Sequence, residues 1–358
     1  MRRGGRERQL ALVLANEDRK RTESTIICLN RDFQGNDYIG EYDLANRVRY
    51  NKCSGKLARL LEIRSMLASD RPDIVWTWGV SETLYAFTAT RGLPTRMADG
   101  AIQGNRIQTP QHTWVHRLMQ TLRIPVIGNS QAGLDSFGIR RGFLLRNGIE
   151  SKFAQRMESS QRDEMRRAQY GIGPETVLLF TCANLLPIKD YPTALRAVGN
   201  VVAAGLPLHY AIAGEGTERP KLEALIRELH LENHVHLLGR QMQTEPFYAL
   251  SDIYLQSSLS EGLSNSIIEA LFQGLPIIAS ITGGNPELAT PTNGLLFACG
   301  DVPALTRHLT ALVENVELRK QMGRESAKNS QLYTIPTMIA RYGDIAEAIM
   351  KGKTGDII

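Results

Sequence analysis

The chain has 358 residues, 42% of them hydrophobic and 22% charged, with a formal net charge of +5. That length exceeds one ordinary hydrophobic core, so two domains are expected, each with enough apolar content to fold. Apolar runs fall short of the roughly 18 residues a membrane span needs, and the start MRRGGRERQ has no apolar signal core, which excludes a membrane-spanning or secretory reading and implies a cytosolic address.

In chain order, the first element is GGRERQLALVLA, a Gly-rich turn at Gly4 and Gly5 feeding a helix. Such a unit ordinarily follows an opening strand, yet only Met1 to Arg3 precede it. The expectation is therefore a first domain lacking its first strand, in a chain that begins downstream of the natural start. Strand-like apolar runs follow at 24–30, 73–78, 124–130, 142–148, 176–184, 208–214, 234–239, 252–258, 275–280 and 294–299, with helical patterns between most of them. This alternation predicts parallel α/β sheets. A charge-rich stretch over 150–173 ends in Gly171, Gly173 and Pro174 and reads as the interdomain linker, giving domains of 1–160 and 161–358. A ligand is expected between them, at the carboxyl ends of the strands.

Charge is uneven. Residues 1–170 hold 28 Lys and Arg against 18 Asp and Glu, and the remainder holds 14 against 19. The basic half suits an anionic partner such as a membrane surface or a lipid diphosphate, or is simply a solvated surface. With 6% aromatic residues and no recognition motif, nucleic acid is not expected. Cys28, Cys53, Cys182 and Cys299 are far apart in sequence with no C-x-x-C, so they read as reduced, buried thiols outside any zinc site or disulfide framework.

The most informative segment is EGLSNSIIEALFQGLP. It runs from the apolar strand DIYLQSS into an amphipathic helix with Ser264 or Asn265 as N-cap. Free N–H groups at such a helix start attract phosphate, and Glu261 and Glu269 could flank that anion and accept bonds from sugar or ribose hydroxyls. Either acid alone reads equally as a capping or solvated residue. Lys189 sits in a strand-to-helix loop before Asp190 and Pro192, where it could reach a diphosphate or be a surface lysine. Gly214, Glu215 and Gly216 form a similar turn with only two glycines of G-x-G-x-x-G, a weak nicotinamide signal. Gly283 and Gly284 allow close backbone approach to a ligand or make a tight turn. Trp76 and Trp78 could stack on a sugar or pack in the core. His112 and His116, four apart on a possible helix, lack the carboxylate motif of a metal site.

Taken in order over 175–350, the segments NLLPIKD, AGEGTERPKLEALI, VHLLGR, SDIYLQSSLSEGLSNSIIEALFQGLPIIAS, TGGNPEL and NGLLF, with the closing helical stretch, resemble the donor domain of retaining GT-B glycosyltransferases of family 4. GGRERQL, IGNSQAG and LLRNGIE resemble its first domain more loosely. The resemblance implies two Rossmann-like, doubly wound parallel-sheet domains facing a cleft. It also implies retaining transfer of a sugar from a nucleotide-diphosphate donor to a glycan or lipid-linked glycan, in bacterial polysaccharide or glycoconjugate biosynthesis.

In that reading Glu261 contacts the transferred sugar, Glu269 the ribose and Lys189 the diphosphate. Gly262, Leu263, Ser264 and Asn265 contact phosphate and sugar, while Asn184, Gly214, Glu215, Gly283, Gly284 and Glu287 line the donor side. Acceptor-side candidates are Gly4, Gly5, Trp78 and Asp99. No metal or other cofactor is required, and the basic first half would touch anionic membrane from the cytoplasmic side. Two positions depart from the family pattern: Asn184 stands where members often carry Arg, and Trp76, Trp78 and Asp99 stand where many carry His. The alternatives are a non-catalytic nucleotide-sugar binding protein and an NAD-dependent oxidoreductase.

Overall fold

The structure is a computed structural model, and it describes residues 5–29, 38–102 and 110–357; Gly4 lies outside them. The chain divides into two units, Met1–Gly148 with Tyr333–Ile358, and Ile149–Leu332. The division thus falls about a dozen residues before the sequence-based boundary, and the last segment joins the first unit.

In the first unit, β1 (Ile26–Cys28) pairs in parallel with β2 (Val48–Tyr50). A second sheet is built from β3 (Ile74–Thr77), β4 (Arg96–Ile102), β5 (Val126–Gly128) and β6 (Arg141–Leu144), each parallel to the next. Helix Gly5–Asn16 buries Ala11, Leu12, Val13 and Leu14, an apolar run that no solvent-facing turn could carry. Gly5 is already its first residue, so the anticipated glycine turn is not seen among the described residues.

The second unit holds one six-stranded parallel sheet: β7 (Val177–Cys182), β8 (Leu208–Ala213), β9 (Val235–Gly239), β10 (Ile253–Gln256), β11 (Ile277–Ser280) and β12 (Gly294–Phe297). Its spatial order is β12-β11-β10-β7-β8-β9. The central strands β7, β10 and β11 are buried on both faces, as expected for a parallel sheet covered by helices. Helices Tyr191–Ala203 and Val302–Glu314 pack together in the core cluster that covers one face.

The stretch read as a linker is not one. Residues Ser159–Tyr170 form a helix of the second unit, and two of its three arginines, Arg162 and Arg166, point inward. Arg162 Nη2 donates to Asp252 Oδ1 at 2.6 Å and Arg166 Nη2 to Asp252 Oδ2 at 2.9 Å, while Leu178 N donates to the same Oδ2 at 2.8 Å. One carboxylate therefore ties the helix to the amino ends of β7 and β10, and Arg166 is only 1% exposed. A segment that is polar by composition is thereby built into the core region, because its charges are paired.

After helix Val316–Asn329 the chain returns to the first unit. Helix Ile335–Met350 packs on helix Gly5–Asn16, and Arg21 bonds Asp344 and Glu347. Then β13 (Asp356–Ile357) pairs antiparallel with β6. The four cysteines are free, as expected, but three are half-buried and Cys299 is exposed. Among the described residues, no helix is long and apolar enough to cross a membrane.

Candidate functional site

Winding reverses at β7. The chain moves one way through β8 and β9, then returns to the other side of β7 for β10, β11 and β12. Loops leaving the carboxyl ends of β7 and β10 therefore diverge to opposite sides, and such a switch point is where open α/β sheets take ligands.

Lys189 and Glu261 meet there, from sequence positions 72 apart: Lys189 Nζ donates to Glu261 Oε1. Lys189 ends a short 3-10 turn, Pro187–Lys189, and the next residue, Asp190, adopts φ +47 before helix Tyr191–Ala203 begins. The two loops are stitched by backbone. Leu259 N donates to Ile188 O at 2.8 Å, and Ser257 Oγ donates to Lys189 O at 2.9 Å. Two further donors converge on Glu261 Oε1, namely Ser258 Oγ at 2.6 Å and Gln256 Nε2 at 2.5 Å. The Gln256 amide is oriented from behind, since its Oε1 accepts from Tyr254 OH at 3.1 Å and from Ser264 Oγ at 3.3 Å. The result is a carboxylate and an ammonium, 12% and 20% exposed, held at a strand-end crevice.

Ser264 is the N-cap of helix Asn265–Gln273, with its Oγ accepting from Ile267 N at 3.3 Å. The helix buries Ile267, Ile268, Leu271 and Phe272, the apolar face read from sequence. Leu263 is buried, while Gly262 and Asn265 are half-buried. Glu269 lies one turn on and is 5% exposed. Tyr248 OH donates to its Oε2 at 2.8 Å. Burial, then the Glu269 charge, holds the Tyr248 phenol well above its ordinary pKa, so it stays a donor. The Tyr248 ring stacks on that of Tyr254, 5.7 Å between centroids. Glu269 is thus linked to the Glu261 cluster through Tyr248, Tyr254 and Gln256.

The glycine positions explain how neighbouring loops close on this point. Gly283, just past β11, has φ +50, and a Cβ there would stand 2.0 Å from Glu261 O. Only glycine allows that contact, and Gly284 N donates to Gly262 O at 2.9 Å beside it. Likewise a Cβ on Gly214, at the end of β8, would stand 1.9 Å from Ala183 O, so this loop lies against the exposed Asn184. Glu215 turns its carboxylate to Arg219.

The acceptor-side candidates lie in the first unit. Trp78 is half-buried. Trp76 stacks on Tyr342, 4.8 Å between centroids. Asp99 is completely buried; its Oδ2 lies 2.6 Å from His116 Nδ1, and its Oδ1 accepts from Thr83 Oγ1 at 3.0 Å and from Ala101 N at 3.1 Å. Its contacts are those of an internal clamp between β4, helix Val80–Ala89 and helix Pro110–Thr121. Sequence reasoning missed Gln256, Ser258 and Tyr248. The available signal was QSS closing a strand that is otherwise apolar, because polar side chains there must find partners.

Residues 162–329 match the family described as Glycosyl transferases group 1. The N-acetyl-alpha-D-glucosaminyl L-malate synthase of Bacillus anthracis is 26% identical over 195 residues, 53% of this chain and 51% of that protein. The lipopolysaccharide core biosynthesis glycosyltransferase LpsE of Rhizobium meliloti is 29% identical over 159 residues, 44% of this chain and 45% of its own. The chain thus spans about half the length of the curated relatives it matches. Among solved structures, Anabaena Alr3699/HepE in complex with UDP superposes with a TM-score of 0.81 at 19% identity, covering 96% of each chain. The fold is GT-B, with two Rossmann-like domains, and the matched segment 162–329 contains Lys189, Glu261 and Glu269.

Proposed function

We propose that this chain is a retaining glycosyltransferase of the family 4 type, moving a sugar from a nucleotide-diphosphate donor to a glycan or lipid-linked glycan in bacterial polysaccharide or glycoconjugate synthesis. The observation that carries this reading is the Lys189–Glu261 pair at the switch point between β7 and β10, beside the start of helix Asn265–Gln273. It is supported by the group 1 match and by the Rhizobium meliloti relative, which is named a glycosyltransferase. The fold likeness to a UDP-bound protein agrees with it.

In this mechanism the acceptor hydroxyl attacks the anomeric carbon on the face from which the nucleoside diphosphate leaves, and the departing phosphate takes the hydroxyl proton. The chain must then stabilise developing diphosphate charge and an oxocarbenium-like centre with fixed cations and dipoles. Lys189 and the N–H groups following Ser264 supply the positive potential without a metal, and Glu261 turns from Lys189 to the sugar hydroxyls when diphosphate takes its place. Glu269, oriented by Tyr248, accepts from the ribose. The basic amino-terminal part attaches the protein to an anionic membrane surface on the cytoplasmic side. Flotation with anionic vesicles at physiological salt should recover it, and equal recovery with neutral vesicles contradicts that attachment.

The test is transfer and hydrolysis measured over a panel of UDP, GDP and ADP sugars with the wild type, Glu261→Gln and Glu269→Gln. Glu261→Gln should mainly depress turnover and Glu269→Gln donor binding. Wild-type rates in both variants contradict the assignment. Donor binding without turnover would leave a nucleotide-sugar binding protein, and nicotinamide binding in its place an oxidoreductase.

A further inference from the structure

The Lys189 ammonium is already engaged, because its Nζ donates to Glu261 Oε1. Ser258 Oγ, at 2.6 Å, and Gln256 Nε2, at 2.5 Å, donate to that same oxygen. All three bonds thus fall on Oε1. Neither anchor is free to follow the carboxylate elsewhere. Gln256, the last residue of β10, is only 1% exposed, and its Oε1 accepts from Tyr254 OH and Ser264 Oγ. Ser258 is also buried, and its backbone carbonyl accepts from Ser280 Oγ at 2.5 Å. Rotating Glu261 away from Lys189 would therefore break two further charge-assisted hydrogen bonds in a largely desolvated place.

This arrangement bears on which anion the site accepts. Lys189, Glu261 and Glu269 together carry one positive charge against two negative ones. A diphosphate that takes Lys189 must displace a fixed carboxylate and then lie beside it, and like charges so placed repel. A nucleotide sugar avoids that penalty. It brings hydroxyl donors, which can replace the ammonium on Glu261.

We infer that Glu261 is a specificity-determining residue that selects a nucleoside diphosphate sugar over the bare nucleoside diphosphate, by competing with the diphosphate for Lys189 until sugar hydroxyls engage it. Ser258 and Gln256 are the positioning residues that keep the carboxylate in that competition. The inference rests on the donor-site reading and adds a consequence to it: once the sugar has been transferred, Glu261 reclaims Lys189 and the spent nucleotide leaves. Discrimination here comes from repulsion of the wrong ligand as much as from contacts to the right one.

The test is calorimetric titration of UDP and GDP, each beside UDP-glucose, UDP-N-acetylglucosamine or GDP-mannose, into wild type, Glu261→Gln and Ser258→Ala, with thermal melting to establish folding. Wild type should prefer the sugar form on the order of tenfold or more. In Glu261→Gln the bare diphosphate should bind on the order of tenfold more tightly than to wild type, with no gain for the sugar form. Ser258→Ala should shift the same ratio in the same direction by less, and it carries the test if Glu261→Gln does not fold. The gain should disappear when Glu261→Gln is made in a Lys189→Met background. Unchanged or weaker binding of the bare diphosphate by the folded variants overturns the inference, as does a gain that persists without Lys189. Failure of the donor-site reading looks different: neither diphosphate nor nucleotide sugar then binds wild type or variant, and the inference falls with it.

Discussion

Gly283→Ala isolates the contact that seats the loop after β11 against Glu261. Two costs arise. The left-handed backbone at φ +50 disfavours a Cβ by about 1–2 kcal/mol. The added methyl would stand 2.0 Å from Glu261 O and 2.7 Å from its carbonyl carbon. Backbone cannot rotate away as a side-chain tip can, so overpacking of about 1–3 kcal/mol is expected. Together they predict a loss of about 2–5 kcal/mol, which for a unit of this size lowers Tm on the order of 10 °C. Because the displaced atom belongs to Glu261, binding of a nucleotide-diphosphate sugar should weaken along with stability. The assay is thermal unfolding plus donor titration, with Gly300→Ala as the control. Gly300 has φ +78 and nothing within 4 Å of its Cβ, so it carries the backbone cost alone. If Gly283→Ala melts no lower than Gly300→Ala and binds donor as the wild type does, the close approach is not what positions Glu261.

Tyr248→Phe removes the phenol that donates to Glu269 Oε2. Leaving a buried carboxylate oxygen short of a donor costs about 1–3 kcal/mol, seen in urea unfolding, and donor affinity should fall with it. A variant as stable as wild type with unchanged affinity would show that Tyr248 does not orient Glu269. Asp252→Asn removes the negative partner of Arg162 and Arg166, the latter almost wholly buried, and should destabilise by about 3–5 kcal/mol. A loss under about 1 kcal/mol would mean the helix Ser159–Tyr170 is held by other contacts. Burial, then the neighbouring His236 and His234, lowers the His209 pKa from 6.5 to about 4. Because the unfolded chain binds the proton first, stability is complete above about 6.5 and is lost progressively as pH falls towards 4. His209→Gln should flatten that slope in urea melts taken across the window, and an unchanged slope would assign it to other groups.

Much of the fold was legible because buried parallel strands write themselves as short apolar runs. All ten candidate strands overlap observed ones, from β1 at Ile26–Cys28 to β12 at Gly294–Phe297. The strands that escaped have reasons to. β4 carries Arg96, Asp99 and Gly100 in seven residues, and Asp99 is tolerated at zero exposure because His116, Thr83 and the Ala101 N–H satisfy it. β2 is three residues, Val-Arg-Tyr, with an exposed arginine at its centre. The helix Ser159–Tyr170 was hidden for the converse reason, since composition cannot tell a solvated arginine from one paired beneath the surface. That residues 333–358 return to the first unit was equally unreadable: amphipathicity says that helix Ile335–Met350 packs, not on what.

The site divides in the same way. Glu261, Ser264 and Glu269 sit within one strand-turn-helix unit, so spacing alone brought them near each other. Lys189 is 72 residues from Glu261, and their meeting depends on β7 and β10 being neighbours, a fact of topology rather than of local pattern. The fixing of Glu261 by Gln256 and Ser258, and of Glu269 by Tyr248, comes from side-chain orientations that no periodicity encodes.

The central claim is that Lys189 at the switch point binds the donor diphosphate. Calorimetric titration of UDP, GDP and ADP, each beside its monophosphate, into wild type and Lys189→Met tests it most directly, with thermal melting to establish that the variant is folded. A bond to a charged partner is worth about 1.5–3 kcal/mol. The account predicts that the preferred diphosphate loses about ten- to a hundredfold in affinity while its monophosphate is little changed. Equal diphosphate affinity in both proteins, or a wild type that binds mono- and diphosphate alike, would contradict it.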